Sequence, residues 1–100
     1  MRPIILARLD KTRPAVLLTR SVALGYLTNV TIAPITSTIR GTSTEVPLGA
    51  RNGLDHDCVA SCDNITTISQ ADVIREIGLL HRDQETQLAR AIANAFDLAE

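Results

Sequence analysis

The sequence predicts a mainly β protein of the α+β class, with one long helix at its C-terminus. Only two of the 100 residues are aromatic while 45% are hydrophobic, so the core must be built from aliphatic side chains. Most apolar runs are short, as strands are, and only Leu88–Phe96 carries an apolar stripe at helical spacing. A small aliphatic core of this kind favours a compact barrel or sandwich, and we expect a single domain over residues 1–100.

The first two predicted strands form a hairpin. Pro3–Leu9 and Pro14–Thr19 are apolar runs of strand length, joined by the polar residues 10–13. Arg13 precedes a proline, which biases its backbone toward an extended conformation, so its guanidinium can reach over the end of the sheet. Ser21–Thr28 is then a connection, with room for one helical turn.

The next segment, Asn29–Gly41, is an apolar strand that runs into a loop of hydroxyl groups. Alternation of side chains along the strand places Thr36 at its end. Pro34 cannot donate to a sheet ladder, so we expect a strand edge or a bulge there. Thr44–Leu48 follows as a short strand, and Gly53 can supply the positive φ of the turn after it.

The second half of the chain predicts three more strands, a brief helix and the long helix. The strands are Asp57–Asp63, Ile65–Ile68 and Arg75–Leu80. Ser69 and Asp72 have the spacing of a capping box, which predicts the brief helix between them. We expect Asp83 to be the N-cap of the long helix, with Glu85 near the positive end of its dipole.

The two cysteines are expected to be buried thiols. In an extended strand Cys58 and Cys62 would lie about 13 Å apart, too far for a disulfide, and both fall on the same face as Ala60. His56 nearby raises the alternative of a metal site. No second cluster in the sequence completes a tetrahedral set of ligands, so we expect no metal and no other cofactor.

Charge is divided unevenly along the chain. Residues 1–51 hold seven basic and two acidic residues, a net charge of +5, whereas residues 52–100 hold three basic and nine acidic, a net charge of −6. This asymmetry suggests that the N-terminal half faces a polyanion; the alternative is a chance segregation of solvated charges. Five apolar residues between Arg2 and Arg8 are too few for a signal peptide or a membrane span, so we expect a cytoplasmic protein.

Four ordered segments, which together cover nearly the whole chain, are similar to those of one known family. They are KTRPAVLLT (11–19), VTIAPITSTIRGTSTEVPL (30–48), NGLDHDCVASCDNITTI (52–68) and the closing IGLL with its helix. In this ordered set the chain resembles the MazF/PemK toxins of bacterial type II toxin-antitoxin systems. The resemblance implies an SH3-like β-barrel, a two-fold homodimer, a cognate antitoxin and cleavage of single-stranded RNA. Whether that RNA is mRNA, rRNA or tRNA stays open.

The resemblance also implies roles for three side chains. The arginine of the family's RP motif matches Arg13, the threonine of its PITS motif matches Thr36, and an acidic residue matches Asp63. An arginine has a pKa above 12 and is a poor acid, so we expect Arg13 to stabilise negative charge on the phosphate. We expect Thr36 to orient the phosphate or the 2′-OH, and Asp63 to act as the base. Further expected RNA contacts are Lys11, Arg20, Ser37, Thr38, Arg40 and Ser61.

The chemistry needs no metal in principle, because the 2′-OH of RNA is an internal nucleophile whose attack leaves a 2′,3′-cyclic phosphate and a 5′-OH. Two departures from the family are visible. The loop before Arg13 is short, and Ser61 stands where some relatives carry an arginine.

Each assigned residue also has a purely structural alternative. These are an Arg13–Asp10 ion pair, a strand-end cap for Thr36 and an Asx-turn of Asp63 with Asn64. His56 and His81 could form the acid–base pair of a metal-free ribonuclease, but nothing in the sequence places them together, and we expect structural or surface roles for both.

Two other functional classes fit the same fold: a poison of a protein target such as DNA gyrase, and a non-catalytic binding barrel. Gyrase-poison relatives have an aromatic C-terminal tip, whereas this chain ends Leu98, Ala99, Glu100. An inactive toxin would retain both Arg13 and Thr36, so only an assay separates it from an active enzyme.

Overall fold

Seven strands form one curled sheet with an α-helix packed against it in the computed structural model, which describes residues 1–99. The strands are β1 (Arg2–Arg8), β2 (Thr12–Leu17), β3 (Asn29–Thr36), β4 (Glu45–Leu48), β5 (Cys58–Ser61), β6 (Thr66–Ser69) and β7 (Val73–Leu80), and the helix is α1 (Arg82–Ala95). Short 3-10 turns span Ser21–Ala23, Ala50–Asn52, Cys62–Asn64 and Gln70–Asp72. None of the helices in residues 1–99 is long and apolar enough to cross a membrane.

The strand order is β4-β5-β3-β2-β1-β7, with all pairs antiparallel, and β6 pairs with β3 outside this path. The long strand β3 changes partner on one side: residues 29–32 pair with β6, whereas Ile35 and Thr36 pair with β5. This change of partner lets the sheet curl over itself into a half-barrel. The predicted mainly β barrel with a C-terminal helix is confirmed.

Of the two alternatives expected at Pro34, a strand edge or a bulge, the edge is wrong. β3 has neighbours on both sides, and Pro34 lies opposite Ala15 of β2. Thr31 directs its backbone N–H and C=O toward the β2 side, where they bond to Thr19 and Leu18. Alternation therefore turns the nitrogen of Pro34 to the other side, where the partner changes from β6 to β5. The missing N–H falls at this break in the ladder.

The core is divided into two clusters, because alternate residues of β1, β2 and β3 point to opposite faces of the sheet. One cluster lies between the sheet and the helix and contains Ile4, Val16, Ala33, Ile35, Val46, Leu48, Cys58, Ala60, Cys62, Leu80, Leu88 and Ala91. The other contains Ile5, Ala7, Ala15, Leu17, Val30 and Ile32. Both cysteines are buried free thiols, as predicted.

The start of α1 differs from the prediction. His81, not Asp83, is the N-cap, and its backbone N–H donates to Oε1 of Gln84 at 3.0 Å. Gln84 is buried and exchanges two hydrogen bonds with the buried amide of Asn52, at 2.7 and 3.1 Å. Asp83 instead binds Arg51 through two hydrogen bonds. The helix is therefore fixed to the turn after β4 by the amide pair Asn52–Gln84, which no local sequence pattern predicts.

Two predicted turn features are confirmed. Gly53 ends the turn after β4 with φ of 85°. Ser69 caps the short helical turn before β7, since its Oγ accepts a hydrogen bond from the N–H of Ala71.

Candidate active site

A cleft of about 600 Å³ opens where β2 begins and β3 ends. Its lining includes six of the nine side chains selected from the sequence, namely Arg13, Thr36, Thr38, Arg40, Ser61 and Asp63. The fold therefore gathers residues from β2, β3, the loop after β3 and the end of β5.

Strand register explains why the two principal residues meet. Ala15 pairs with Pro34, Val16 with Ala33 and Leu17 with Ile32. Continuing this antiparallel register by two residues sets Arg13 opposite Thr36. Residues directly opposite each other project from the same face of a sheet, so both side chains enter the cleft.

The guanidinium of Arg13 is held by a carboxylate of the same hairpin. Its Nε and one terminal nitrogen donate to the two carboxylate oxygens of Asp10, at 2.8 and 3.1 Å. This pairing, mainly through the side-chain hydrogen bond, lowers the pKa of Asp10 to about 2 and raises the pKa of Arg13. The ion pair considered as an alternative thus exists. It uses two of the five guanidinium N–H groups, which leaves three for a substrate phosphate.

Thr36 makes a strand-end cap and keeps a free donor. Its Oγ1 accepts a hydrogen bond of 3.2 Å from the backbone N–H of Thr38. Since a hydroxyl can accept and donate at the same time, its proton remains available to an oxygen in the cleft.

Asp63 lies in the 3-10 turn that directly follows β5 rather than at the end of a longer strand. One of its carboxylate oxygens accepts a hydrogen bond of 2.6 Å from the hydroxyl of Thr44. Asn64 does not bond to Asp63; it donates to Oγ of the buried Ser61 at 2.9 Å. Asp63 lines the cleft, and its second carboxylate oxygen has no hydrogen-bond partner among residues 1–99.

Sequence reasoning missed Glu45, which shapes the loop after β3. Its carboxylate accepts hydrogen bonds from the backbone N–H groups of Arg40 and Gly41, the shortest being 2.8 Å. Gly41 adopts φ of 75°, a conformation that glycine enters without a steric penalty. The Arg40 side chain has no ion-pair partner within residues 1–99. The signal in the sequence for this contact is the spacing of Glu45, an acidic residue four positions after Gly41.

Three of the expected RNA contacts lie outside the cleft lining. Lys11 lies at the exposed tip of the first hairpin. Arg20 lines a separate cavity of about 420 Å³ beyond the opposite end of β2 from Arg13, and donates to the hydroxyl of Tyr26. Ser37 is hydrogen bonded through Oγ to Nε2 of His56 at 2.6 Å. The structure therefore does not group Arg20 with the cleft residues.

The basic N-terminal half does not form one basic face. Three of its six arginines pair with acidic residues of the second half, in the ion pairs Arg2–Glu85, Arg8–Asp72 and Arg51–Asp83. Basic residues of the first half and acidic residues of the second half therefore lie next to each other in the fold. Among residues 1–99, the basic side chains in or beside the cleft are Arg13, Arg40 and Lys11.

The assembled groups suit chemistry at a phosphodiester. Arg13 and Thr36 offer donors to phosphate oxygens, and Asp63 offers an acceptor for a proton. Within residues 1–99, no group of three or more His, Cys, Asp or Glu side chains is arranged to hold a metal ion.

Comparison with known proteins agrees with this arrangement. Residues 4–96 match the family described as PemK-like, MazF-like toxin of type II toxin-antitoxin system. The chain is 58% identical over 98 residues to Endoribonuclease MazF3 of Mycobacterium tuberculosis H37Rv, covering 98% of this chain and 95% of that protein.

Solved structures give the same result. The chain superposes on Mycobacterium tuberculosis toxin MazF-mt6 with a TM-score of 0.97 and 56% identity, over 99% of this chain and 100% of that one. A crystal structure of MazE-MazF from Deinococcus radiodurans, at 17% identity, has a TM-score of 0.80 over 97% and 93% of the two chains and shares the fold.

The predictions of family and of enzyme class are confirmed by these matches. The chain belongs to the PemK/MazF toxin family of type II toxin-antitoxin systems.

Proposed function

We propose that this protein, as a single toxin domain over residues 1–100, cuts single-stranded RNA without a metal ion and thereby inhibits translation and growth. The observation that carries the proposal is the convergence of Arg13 and Thr36 in one cleft of a chain 58% identical to an endoribonuclease. The 2′-OH attacks the adjacent phosphorus, the bond to the 5′-oxygen breaks, and the ends are a 2′,3′-cyclic phosphate and a 5′-OH.

Arg13 stabilises the additional negative charge on the phosphate in the transition state. Asp10 fixes the guanidinium on one edge, so the three remaining N–H groups are aimed before the substrate arrives. Such preorganised donors stabilise transition states by about 2.7 to 4 kcal/mol each in other enzymes. Thr36 donates its hydroxyl proton to the phosphate or the 2′-oxygen and holds the reacting atoms in line.

Asp63 accepts the proton of the 2′-OH. Its hydrogen bond from Thr44 fixes one carboxylate oxygen and leaves the other for the substrate. The leaving 5′-oxygen takes its proton from water in the open cleft. Arg40 lines the same cleft and Lys11 lies at the nearby hairpin tip, where both attract flanking phosphates.

We also infer a cognate antitoxin and a homodimeric toxin, which act in the cytoplasm. The antitoxin's acidic and apolar tail binds basic surface of the N-terminal half. In support, the cavity that contains Arg20 also contains Arg82 of α1 beside the apolar side chains of Leu17 and Leu24, whereas Arg2 and Glu85 in the same cavity bond to each other.

The reaction is tested by incubating the protein with a long RNA in EDTA and mapping the cut ends. A second set of reactions uses oligonucleotides that are modified at the scissile nucleotide. A 2′-deoxy or 2′-O-methyl group there should abolish cleavage; cutting of either substrate would exclude attack by the 2′-OH.

The residue roles are tested on the same RNA. Arg13→Ala should lower the rate at least about a hundredfold, and Arg13→Lys should restore little, because an ammonium lacks the planar fork. Thr36→Ser should retain more activity than Thr36→Val. The matched control is Arg90→Ala, which removes an exposed arginine of α1 and should leave the rate unchanged. If Arg13→Ala kept full activity, Arg13 would not be the residue that stabilises the transition state.

A further inference from the structure

A second concavity adjoins the catalytic cleft. It has a volume of about 570 Å³, and we call it the side pocket; its lining includes Ile39, Pro47, Asp57, Val59 and Gln87. The segment 36–40 separates the two spaces, because Thr36, Thr38 and Arg40 line the cleft whereas Ile39 lines the side pocket. The segment 36–40 is therefore a wall that the cleft and the side pocket share.

The side pocket combines apolar walls with two unused polar groups. Ile39 is 54% exposed, and it lines the side pocket together with the exposed Pro47 and the buried Val59. The carboxylate of Asp57 and the amide of Gln87 are exposed and have no hydrogen-bond partner among residues 1–99. Apolar surface with a few convergent polar groups is typical of sites for flat, partly polar ligands.

The other polar side chains of the side pocket already have partners. Asn52 and Gln84 bond to each other, and their remaining donors reach the carbonyls of Leu79 and Pro47. Arg51 donates two hydrogen bonds from its guanidinium to Asp83, which hold it against α1 and leave three of its N–H groups unused. Asp57 and Gln87 are therefore the polar lining side chains that have no partner among residues 1–99.

Charge disfavours a phosphate as the occupant of the side pocket. Arg51 and Asp83 neutralise each other there, and the further charge among the lining residues is the carboxylate of Asp57, which repels a phosphate. In the cleft, Arg40 has no ion-pair partner within residues 1–99 and Arg13 keeps three N–H groups, while the carboxylate of Glu45 is bound by backbone N–H groups. This difference favours, for a single strand lying along the segment 36–40, phosphates in the cleft and a base in the side pocket.

Neighbouring contacts fix the geometry of this opening. His56 bonds to Oγ of Ser37, next to the separating segment, and to the carboxylate of Asp55 through its other ring nitrogen. Asp57 follows His56 directly in the chain. The distance between Asp57 and the segment 36–40 is thus constrained before any ligand arrives.

We propose that the side pocket binds one nucleobase next to the scissile phosphate, and that Asp57 and Gln87 read its hydrogen-bonding edge. A carboxylate accepts but does not donate, so the preferred base presents amino hydrogens, as cytosine does and uracil does not. This inference rests on the proposed RNA cleavage, and it adds which side chains set the sequence preference.

The first test measures kcat/KM on short RNAs in which each nucleotide flanking the cut is varied in turn. Wild type should prefer cytosine over uracil at one position by about tenfold, as expected for a good side-chain contact to a base edge. Asp57→Asn and Gln87→Ala should each reduce that preference, chiefly by lowering kcat/KM for the cytosine substrate. Glu76→Gln, which removes an exposed carboxylate from β7, should leave the whole panel unchanged.

The second test does not depend on cleavage. Cytidine added to wild-type protein should shift the NMR signals of the Gln87 side-chain amide and the Ile39 methyl groups more than uridine does, and Asp57→Asn should remove the difference. The inference would be overturned if the Asp57 and Gln87 variants lost kcat/KM equally on every RNA of the panel, or if they cut every RNA as the wild type does. It would also be overturned if cytidine shifted none of these signals in the wild-type protein. If wild type cuts no RNA but cytidine still shifts these signals, the proposed function fails while the side pocket stands.

Discussion

Arg13 illustrates how one residue can be in a structural ion pair and still serve a site. Its bidentate contact with Asp10 involves one edge of the guanidinium. The hairpin loop that carries Asp10 is short, so the carboxylate reaches back to the first residues of β2. The short loop, noted in the sequence as a departure from the family, thus places an anchor for the arginine at the mouth of the cleft.

This contact gives a prediction about pH. The pKa of Asp10 lies near 2 in the folded protein because its carboxylate is bonded to Arg13. A depressed folded pKa means that the pair contributes stability above the ordinary value of 3.8, and that this contribution is lost as pH falls through about 2. An NMR titration of the side-chain carboxyl should therefore show Asp10 fully ionised at pH 4.

The matched variant for this titration is Arg13→Gln. It removes the charge and the bidentate contact, and the Asp10 midpoint should rise toward 3.8. An Asp10 that titrates near 4 in wild type would show that the ion pair does not hold Arg13 in solution.

At the scale of elements, the tightest constraint is the contact between β7 and the turn after β4. A Cβ built on Gly78 would lie 1.7 Å from the carbonyl oxygen of Asn52. A Cβ built on Gly53, which has φ of 85°, would lie 2.5 Å from the carbonyl oxygen of Ile77. The turn must lie this close to β7 for Asn52 to reach Gln84 and fix the start of α1.

Gly78→Ala should therefore be strongly destabilising. Because the neighbour is backbone, the added methyl group cannot be accommodated by a change of rotamer, and we expect a loss of more than about 2 kcal/mol in the free energy of unfolding. Urea denaturation measures it. Gly25→Ala is the control, since nothing lies within 4 Å of its Cβ position, and it should change stability by less than about 0.5 kcal/mol. Equal midpoints for the two variants would contradict the packing described.

At the scale of the whole molecule, the apolar stripe of the long helix is only partly used within one chain. Leu88 and Ala91 are buried, whereas Phe96 is 56% exposed and Leu98, just beyond the helix, is 58% exposed. β7 is also an edge strand of the sheet, and Ile74 on it is 40% exposed. These surfaces are compatible with a second copy of the chain.

We therefore predict a homodimer at micromolar concentration, since burial of such apolar side chains contributes about 1.5 to 3 kcal/mol each. Light scattering should give twice the mass of 10.8 kDa. Phe96→Glu should shift the protein toward monomer, while Arg90→Glu, on the exposed surface of α1, should not. A folded wild-type monomer under these conditions would refute the prediction.

The sequence by itself determined the elements of this protein and its family. The features that the sequence predicted correctly are local patterns, each formed by residues close together in the chain. They are the alternation along strands, the Ser69 cap, the turn at Gly53 and the apolar stripe of the last helix. The ordered motifs selected Arg13, Thr36 and Asp63, and all three line one cleft. Local pattern is readable because backbone preference and side-chain period act between near neighbours in the chain.

Only the tertiary structure decided which distant groups meet. The register of β2 against β3 sets Arg13 opposite Thr36, and the partner change of β3 explains Pro34. Arg20 lies at another cavity, and three arginines of the basic half are paired with acidic residues of the other half. The physical reason is that hydrogen-bond register, charge pairing and buried amide pairs such as Asn52–Gln84 join residues tens of positions apart. No spacing within the sequence encodes such contacts, because they exist only when the curled sheet brings its strands together.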